Sequence, residues 1–538
     1  MGKSAVVIAG GDISYKFNVL NSRYSSPALI PINSRTLGQY VLDAYHAYGY
    51  DSIFLVVDSS VLQTVETELY ETCQKTNTRL IGVTASGSVI QTLQMALEHP
   101  EIQNEVTVNV VTTIPSREIG LNELLVDEEI KENQGWSGII VADGVIELVK
   151  KQHEQKPCFA FQGVFSMEKA LLQTAIQELN SNDLIDLVEE LFNRKWNPSL
   201  IHSRWIDCGH EENYFKARNE LINSRNFNRL TVKGNTITKR SANKEKIEAE
   251  IAYYRNLPGS LQTYFPSLIE SGNTETEGFY TMTYLNLPNL SELILYWDVS
   301  DSNYTRIFKN IEAALMLFRQ HATQFSKTEY EQFYTSKTRA RINSYKESLK
   351  DNALRTVLFE HTHVQINGQS YLNFDQLERT ISHRLDSLYE QSVFCMVHGD
   401  LCFNNMLANL DDYSIKLIDP RGSFSGNQFS NYGDLAYDLA KLAHSSMFYY
   451  DYIVADLFRL EQTEDAGFLL TFNQRENDAL LKTLTRGIIE KHGFAFNDIK
   501  MIVGLLFLSM TPLHTDSETR QLAMYLNGLQ IVNESLNG

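Results

Sequence analysis

The chain has 538 residues, of which 43% are hydrophobic and 21% charged, and its formal net charge is −19. This length exceeds what one hydrophobic core usually supports, so it predicts two or three domains of a soluble globular protein. The acidic balance argues against nucleic-acid binding and against binding to anionic membranes, because both need surplus lysine and arginine. Small molecules are the expected partners.

Five scattered cysteines without a Cys-x-x-Cys pair predict a reducing compartment, taken here as the cytoplasm, and no zinc site. The opening stretch MGKSAVVIAGG predicts a buried strand and a turn instead of a signal peptide. The apolar run at 501–510 is too short to span a bilayer and predicts a buried helix. No membrane span is expected.

The first part of the chain, residues 1–228, predicts an α/β doubly wound domain. The apolar runs SAVVIAGG and SIFLVVD flank the helical pattern RTLGQYVLDAYHAYGY, which is typical of a βαβ unit in a parallel sheet. The alternation continues with TRLIGV, a helix through SVIQTLQMALEH, and VTVNVVTT. This order is that of a doubly wound sheet.

The pattern changes near Asn226, and we place the domain boundary near residue 228. NRLTVKGNTITKRS predicts a hairpin with its bend at residues 233–235, and the charged helix NKEKIEAEIAYYRNL follows. From Leu290 onward most segments predict helices, apart from a hairpin that turns at residues 411–412. The second part therefore divides into a smaller lobe and a larger helical lobe.

The stretch MVHGDLCFNNMLANLDDYSIKLIDPRG, from Met396 to Gly422, contains several parts that phosphoryl transfer requires. In a kinase catalytic loop an Asp serves the acceptor hydroxyl and an Asn five positions later binds Mg²⁺, which is the spacing of Asp400 and Asn405. Asp419 ends a short apolar run and would bring a carboxylate to the metal. ATP and Mg²⁺ are the predicted cofactors.

Such a site also needs a lysine that binds the phosphates of the nucleotide, and NTITKRS supplies Lys239. Its partner on the following helix is Glu250 or Glu248, and the family resemblance described next favours Glu250, which precedes the helix end as that family's glutamate does. The extended stretch GFYTMTYLNLPNL predicts a hinge strand whose backbone binds adenine, with Met282 and Tyr284 as candidates.

Three ordered motifs, HGDLCFNNM, LIDPRG and YGDLAYDLAKL, together resemble the aminoglycoside phosphotransferase and choline kinase family. The resemblance implies an α+β protein-kinase-like domain with a lobe at 229–290 and a helical lobe at 291–538. It also implies that Asp400 is the catalytic base and that Asn405 and Asp419 hold magnesium. The acceptor would be a hydroxyl of a small molecule.

The same resemblance assigns the third motif, around Asp434 and Asp438, to a helix that supports the site. Because a lone histidine is usually structural, we interpret His398 as orienting the loop. Arg421 departs from the family pattern: it either offers a fork to a substrate phosphate or carboxylate or braces the loop. Candidates for the acceptor pocket are His444, His514 and Asp516, for which core or capping roles are the alternative.

The first domain resembles the nucleotidyltransferases that make sugar nucleotides, through VVIAGG, SPALIPINSRTLGQYVLDAY, IFLVVD and WIDCGHEENYFKAR. Most of the residues that this resemblance requires at functional positions are absent. Residues 10–14 lack the usual Gly-x-Gly-x-Arg order, with Arg23 as a candidate for the missing arginine. Pro27 and Ala28 occupy the position at which such enzymes have a lysine. Thr112 or Thr113 stands where a metal carboxylate belongs, which leaves Asp207 as a single ligand. We expect a degenerate binding domain.

The leading hypothesis is an ATP-dependent small-molecule kinase that phosphorylates a sugar, polyol or amino alcohol. By analogy, the pair of domains resembles proteins of bacterial capsule and surface-glycan biosynthesis, where a homo-oligomer or contact with other enzymes of that pathway is expected. The alternatives are a bifunctional kinase and nucleotidyltransferase that makes an NDP-activated precursor, and a non-enzymatic scaffold that binds metabolites.

Overall fold

The computed structural model describes residues 2–10, 22–84, 88–132, 136–142, 145–150, 156–222, 229–422, 429–464 and 467–537. The chain divides into two compact units, Met1–Leu221 and Ile222–Gly538. The predicted boundary at residue 228 lies outside the described residues, as do residues 11–14 of the predicted nucleotide turn. All five cysteines are free and buried.

The first unit alternates strands and helices along the chain. Its strands are β1 (Lys3–Ala9), β2 (Pro31–Ile32), β3 (Arg35–Thr36), β4 (Ser52–Asp58), β5 (Thr78–Val83), β6 (Glu105–Val110), β7 (Thr113–Ile114), β8 (Glu123–Glu132), β9 (Gly138–Ala142), β10 (Val145–Val149), β11 (Pro157–Glu168), β12 (Ser199–Ser203) and β13 (Ile206–Asp207). Its helices are α1 (Leu37–Ala47), α2 (Leu62–Glu68), α3 (Tyr70–Thr76), α4 (Val89–Leu97), α5 (Lys169–Glu178), α6 (Leu184–Asn193) and α7 (Glu211–Glu220).

The main sheet of the first unit is mixed, with the order β10-β9-β11-β6-β1-β4-β5 and with β8 and β12 attached through β11. Strands β6, β1, β4 and β5 are parallel, whereas β11 runs antiparallel to β6. The parallel strands read as continuous apolar runs because β1 and β4 are buried on almost every residue. The chain order reverses at β1, which confirms the predicted doubly wound arrangement.

The second unit begins with an antiparallel sheet and continues mainly as helices. Its strands are β14 (Arg229–Lys233), β15 (Thr236–Ser241), β16 (Leu268–Asn273), β17 (Gly278–Thr283), β18 (His363–Ile366), β19 (Gln369–Leu372), β20 (Phe394–Met396), β21 (Met406–Ala408), β22 (Ile415–Leu417), β23 (Tyr432–Asp434), β24 (Phe458–Gln462) and β25 (Phe468–Phe472). Its helices are α8 (Lys244–Arg255), α9 (Leu290–Tyr296), α10 (Asp301–Gln320), α11 (Lys327–Glu331), α12 (Lys337–Ser348), α13 (Phe374–Tyr389), α14 (Leu435–Ser446), α15 (Tyr450–Val454), α16 (Asp478–Lys491), α17 (Phe496–Met510) and α18 (Glu518–Asn537).

The first sheet of this unit has the order β14-β15-β17-β16, and α8 follows β15. The predicted hairpin between β14 and β15 is present, with Gly234 in the left-handed region at φ 56°. The predicted hairpin of β21 and β22 is present as well. Most other segments after Leu290 are helices, as expected, but β19, β18, β25 and β24 form a second sheet that the sequence analysis did not predict.

Helix α17 lies in the core of the second unit, and twelve of its residues are buried. By length and composition alone, the window Phe496–Leu513 is apolar enough to cross a membrane, but 72% of it is buried inside the protein. Burial of that extent is what a core helix shows, and the helix packs mainly against α18.

Candidate active site

The loop after β20 carries Asp400, and the carboxylate of Asp438 on α14 fixes its backbone. One oxygen of Asp438 accepts a hydrogen bond from the backbone N–H of His398 at 2.6 Å, and the other accepts from Gly399 at 2.8 Å. Gly399 has φ 79°, a conformation that glycine adopts without steric cost. Burial raises the pKa of Asp438 to about 7, although the two backbone bonds act in the opposite direction.

Asp400 is joined to the predicted metal ligand Asn405. The Asn405 side-chain nitrogen donates to the Asp400 carboxylate at 3.1 Å and to its backbone carbonyl at 2.9 Å. Lys441 on α14 places its ammonium 2.9 Å from the other carboxylate oxygen. Burial acts to raise the pKa of Asp400, but the Lys441 cation outweighs it and holds that pKa well below its usual range. The side chain remains 41% exposed, so a substrate can reach it.

His398 connects the loop of Asp400 with the loop of Asp419. Its Nδ1 accepts from the backbone N–H of Asp400 at 3.2 Å, and its Nε2 lies 3.1 Å from the carbonyl oxygen of Ile418. The ring stacks on Phe265 with centroids 6.1 Å apart. Burial lowers the pKa of His398 to about 4, so the ring is neutral and orients the two loops instead of transferring protons.

Asp419 lies two residues after β22 in a left-handed backbone conformation, with φ 57°. A non-glycine residue there costs about 1 kcal/mol, and such strain often marks functional positions. Backbone hydrogen bonds on both sides hold it: Ile418 donates to the Asn405 carbonyl at 3.0 Å, and Arg421 donates to the His398 carbonyl at 2.8 Å. Burial acts to raise the pKa of Asp419, but the Lys239 cation outweighs it and lowers that pKa.

Lys239 on β15 forms a buried ion pair with Glu250 on α8, at 2.9 Å. The side chains are 3% and 5% exposed, and the hydroxyl of Tyr280 donates to the same carboxylate at 3.0 Å. The Lys239 ammonium also contacts the carboxylate of Asp419. Burial acts to lower the pKa of Lys239, but these two carboxylates outweigh it and raise that pKa. Three predicted site residues therefore meet at one ammonium group.

The choice between Glu250 and Glu248 as the partner of Lys239 is decided by the structure. Glu248 accepts a hydrogen bond from the side-chain nitrogen of Asn273 at 2.9 Å and lies on the exposed side of α8. Glu250 is buried and faces Lys239. The preference for Glu250 agrees with this geometry.

The predicted hinge follows the end of β17. Met282 is buried and belongs to the hydrophobic core of the second unit. The backbone N–H of Tyr284 donates to the carbonyl of Asn235 at 2.8 Å, so this group is committed to the sheet. An adenine ring would therefore bond to backbone groups other than this N–H.

The donor set of the site suits a magnesium ion. Asp419 and Asn405 offer carboxylate and amide oxygens, the hard ligands that Mg²⁺ prefers. The ammonium of Lys239 already contacts the Asp419 carboxylate, so this oxygen is placed to face a cation. In the described ranges there is no group of three or more His, Cys, Asp or Glu side chains that could hold a metal. A metal here would therefore rely on the amide and on the phosphates of a nucleotide.

The remaining candidates lie in different surroundings. The guanidinium of Arg421 lies 5.5 Å from the ring centroid of Phe333. His444 is fully buried and stacks on Tyr450 at 4.3 Å, as a core residue does. Asp516 forms an ion pair with Arg520 at 2.7 Å near the start of α18.

His514 is partly buried and follows the short helical turn Thr511–Leu513, where its backbone N–H donates to Thr511. The ion pair of Asp516 with Arg520 does not bring this carboxylate to Asp400. A cavity of about 440 Å³ lies between α8 and β16, and it is lined by Glu248, the alternative partner of Lys239, and by none of the preferred site residues.

The structure adds Lys441, to which the sequence analysis gave no role. It follows Tyr437 by four positions on α14 and therefore lies on the same helix face. The motif YGDLAYDLAKL contains it, but only the fold brings it to Asp400.

In the first unit, the predicted metal ligand Asp207 is committed to hydrogen bonds within the protein. One oxygen accepts from the backbone N–H of Gly209 at 2.8 Å, and the other accepts from Asn213 at 2.8 Å and lies 2.6 Å from Nδ1 of His210. The hydroxyl of Thr113 donates to the carbonyl of Gln162 at 2.7 Å. These contacts are those of a structural carboxylate and a structural hydroxyl.

Several solved structures are similar to the N-terminal part of the chain, and they are sugar-nucleotide nucleotidyltransferases and related enzymes. A nucleoside-diphosphate-sugar pyrophosphorylase from Vibrio cholerae is 17% identical, with 40% of this chain and 99% of that chain covered and a TM-score of 0.33. A UDP-glucose pyrophosphorylase complexed with UDP-glucose is 13% identical, with 41% and 98% covered and a TM-score of 0.34. An inositol-1-phosphate CTP transferase from T. maritima is 13% identical, with 40% and 95% covered and a TM-score of 0.34.

No protein-family model matches the chain, and no curated protein matches it. At these identities and TM-scores the similarity carries no argument about the site. The chemistry of the second unit is therefore argued from its own geometry.

Proposed function

We propose that the second unit is a kinase that transfers the γ-phosphoryl group of ATP to a hydroxyl of a small molecule. One observation supports the proposal: the buried pair of Lys239 and Glu250 contacts Asp419, and the loop of Asp419 is hydrogen-bonded to the loop in which Asp400 and Asn405 are joined. A lysine, a metal-binding carboxylate, an amide and a second carboxylate are the parts that this reaction needs.

In this proposal Lys239 binds the phosphates of the nucleotide, and Glu250 holds its ammonium in place. Asp419 and Asn405 would hold Mg²⁺, which offsets the negative charge of the phosphates when bound. Asp400 accepts a hydrogen bond from the acceptor hydroxyl and directs its oxygen. Because the pKa of Asp400 is well below its usual range, orientation is its main contribution, and a loose transition state needs little base catalysis.

The acceptor class that we propose is a sugar, polyol or amino alcohol, and capsule or surface-glycan biosynthesis is the setting that we infer by analogy. The experiment is a coupled assay of ADP formation with these alcohols and with sugar phosphates, with and without Mg²⁺. We expect magnesium-dependent activity that is lost in Asp400→Ala and in Asp419→Ala, with both variants folded.

The matched control is Asp412→Ala, which removes a fully exposed carboxylate from the hairpin turn between the two motifs. It should leave turnover unchanged. Activity that persists in both Asp400→Ala and Asp419→Ala would contradict the assigned roles, and a non-enzymatic scaffold would become the better account.

A second candidate is nucleotidyl transfer by the first unit, which would make the chain bifunctional. The sequence motifs of this part, VVIAGG and WIDCGHEENYFKAR among them, raise this candidate because they resemble those of sugar-nucleotide nucleotidyltransferases. The hydrogen bonds that occupy Asp207 speak against a metal at that position. Release of pyrophosphate from CTP or UTP in the presence of the phosphorylated acceptor is the result that would establish it.

A further inference from the structure

Four cations lie around the side of the site that carries Asp400. Lys337 and Arg341 are four positions apart on α12, so they share one face of that helix. Arg421 follows the loop of Asp419, and Lys441 lies on α14. Burial lowers the pKa of Lys337 to about 6, and the positive charges of Arg421, Arg341 and Lys441 act in the same direction, so this amine is mostly protonated near neutral pH only when an anion binds beside it.

Direct geometry shows the same arrangement. The rings of Phe333 and Tyr437 pack together with centroids 4.6 Å apart. The Lys337 ammonium lies 4.6 Å from the first centroid and 5.8 Å from the second. The Arg421 guanidinium lies 5.5 Å from the Phe333 centroid, and the Lys441 ammonium lies 6.0 Å from that of Tyr437. Three cations therefore share an aromatic floor beside Asp400.

The members of the cluster differ in their protein partners. Lys441 is paired with Asp400, and Arg341 donates to the carbonyl and hydroxyl oxygens of Ser509 at 3.0 and 3.1 Å. In the part of the chain that the structure describes, Lys337 forms no ion pair with a carboxylate. Grouped, partly buried cations are costly unless a counter-charge is present, and this group occurs in a chain of net charge −19.

We propose that the acceptor alcohol carries an anionic group, a phosphate or a carboxylate, that binds to Lys337, Arg341 and Arg421 while its hydroxyl faces Asp400. Guanidinium groups bind both anions through paired hydrogen bonds. This proposal rests on the proposed kinase function and specifies its substrate class.

The transfer step is balanced as follows. The acceptor oxygen forms a new bond to the γ-phosphorus, and the bond from that phosphorus to the bridging oxygen breaks, with its electron pair leaving on ADP. The hydroxyl proton passes to Asp400 and then to solvent. The anionic group of the acceptor takes no part in the bond changes and only positions the hydroxyl.

The test compares matched acceptors: glycerol, glycerol 3-phosphate and glycerate, and glucose, glucose 6-phosphate and gluconate. We expect phosphorylation of an anionic member in preference to its neutral counterpart, and the phosphate and carboxylate arms tell which anion is bound. In Lys337→Gln the KM for that acceptor should rise by about tenfold or more, as the loss of a charge-assisted contact predicts. The KM for ATP should not change.

The control is Lys346→Gln, because Lys346 lies on the same helix with its ammonium 5.5 Å from the ring centroid of Phe359. It should leave both KM values unchanged. A preference for the neutral alcohols, or an unchanged acceptor KM in Lys337→Gln and in Arg341→Gln, would overturn the proposal.

A binding experiment separates this proposal from the kinase function. Calorimetry with a non-hydrolysable ATP analogue and Mg²⁺ tests the nucleotide site, and titration of inorganic phosphate or acetate into the saturated protein tests the cation cluster. Failure to bind the nucleotide overturns the kinase function. Binding of the nucleotide without any binding of phosphate or acetate overturns the anionic acceptor alone, whereas anion binding that Lys337→Gln removes supports it.

Discussion

Replacement of Asp438 by asparagine should damage catalysis more than stability. The carboxylate accepts hydrogen bonds from the backbone N–H groups of His398 and Gly399, and an amide can accept only one of them while its NH₂ group faces the other donor. A buried N–H without an acceptor costs about 1–3 kcal/mol. Burial raises the pKa of Asp438 to about 7, so the ionised form is itself costly, and its removal offsets part of that loss. The net decrease in the free energy of unfolding should be about 1–2 kcal/mol.

The effect on turnover follows from what those two N–H groups support. Asp400 is the residue directly after Gly399, so a shift of the loop moves the carboxylate that faces the acceptor. Displacements of about 1 Å in a catalytic group cost up to about 10²-fold in rate. We expect kcat to fall by about that factor, measured by ADP formation, while urea unfolding gives the change in stability.

Asp434→Asn is the matched control, since Asp434 is a buried carboxylate that caps the same helix. It accepts from the backbone N–H of Ala436 at 3.0 Å and from the hydroxyls of Tyr334 and Ser392 at 3.0 and 3.3 Å. Hydroxyls can reverse their roles, so the amide is tolerated, and none of these bonds reaches the loop of Asp400. Equal losses of kcat in Asp434→Asn and Asp438→Asn would refute the reasoning, as would normal turnover in a destabilised Asp438→Asn.

Three further outcomes are expected. Glu250→Gln should lower kcat/KM for ATP by at least about tenfold, because Lys239 loses a charge-assisted contact, whereas Glu248→Gln should have little effect; equal kinetics for the two variants would refute the pairing. The pKa of Lys337 is about 6 in the folded chain and about 10.4 in the unfolded chain. Between these two pH values the unfolded chain therefore binds more protons, and the contribution of this group to stability rises with pH. Lys337→Met should therefore gain most in unfolding free energy near pH 6 and least near pH 10, and a gain independent of pH would contradict this cause. Asp207→Asn should lower the unfolding free energy by about 1–3 kcal/mol without loss of phosphoryl transfer, and unchanged stability would show that its hydrogen bonds matter little.

Local patterns in the sequence predicted the elements that depend on neighbouring residues. Strand β5 covers TRLIGV as predicted, and the hairpin of β14 and β15 turns at the expected glycine. The hairpin of β18 and β19 was missed although its signal is present in the sequence. Asn367 and Gly368 form its turn with φ 52° and 73°, and an Asn-Gly pair between alternating residues is a strong hairpin signal.

Contacts between distant parts of the chain were harder to predict. The spacing of Asp400, Asn405 and Asp419 in the sequence was enough to define the motif. The pairing of Lys239 with Glu250 was predicted from the hairpin that carries Lys239 and the helix that follows it. The pairing of Lys441 with Asp400 and the approach of α12 to the site depend on how helices pack. Helical periodicity fixes which residues share a face but not which other element that face meets.

Ion pairs within the second unit balance the charges of the two carboxylates of the candidate site. Asp419 is balanced by Lys239, and Asp400 is balanced by Lys441, so both carboxylates stay ionised in the folded chain. In the proposed function, nucleotide binding would exchange partners: Lys239 would turn from Asp419 to phosphate oxygens while Glu250 keeps hold of it, and the freed carboxylate would become available to a metal. Lys337 on α12 forms no ion pair with a carboxylate of the described residues. The reasoning that proposes Asp419 as a metal ligand therefore also proposes the Lys337 side of the site as a place for an anion.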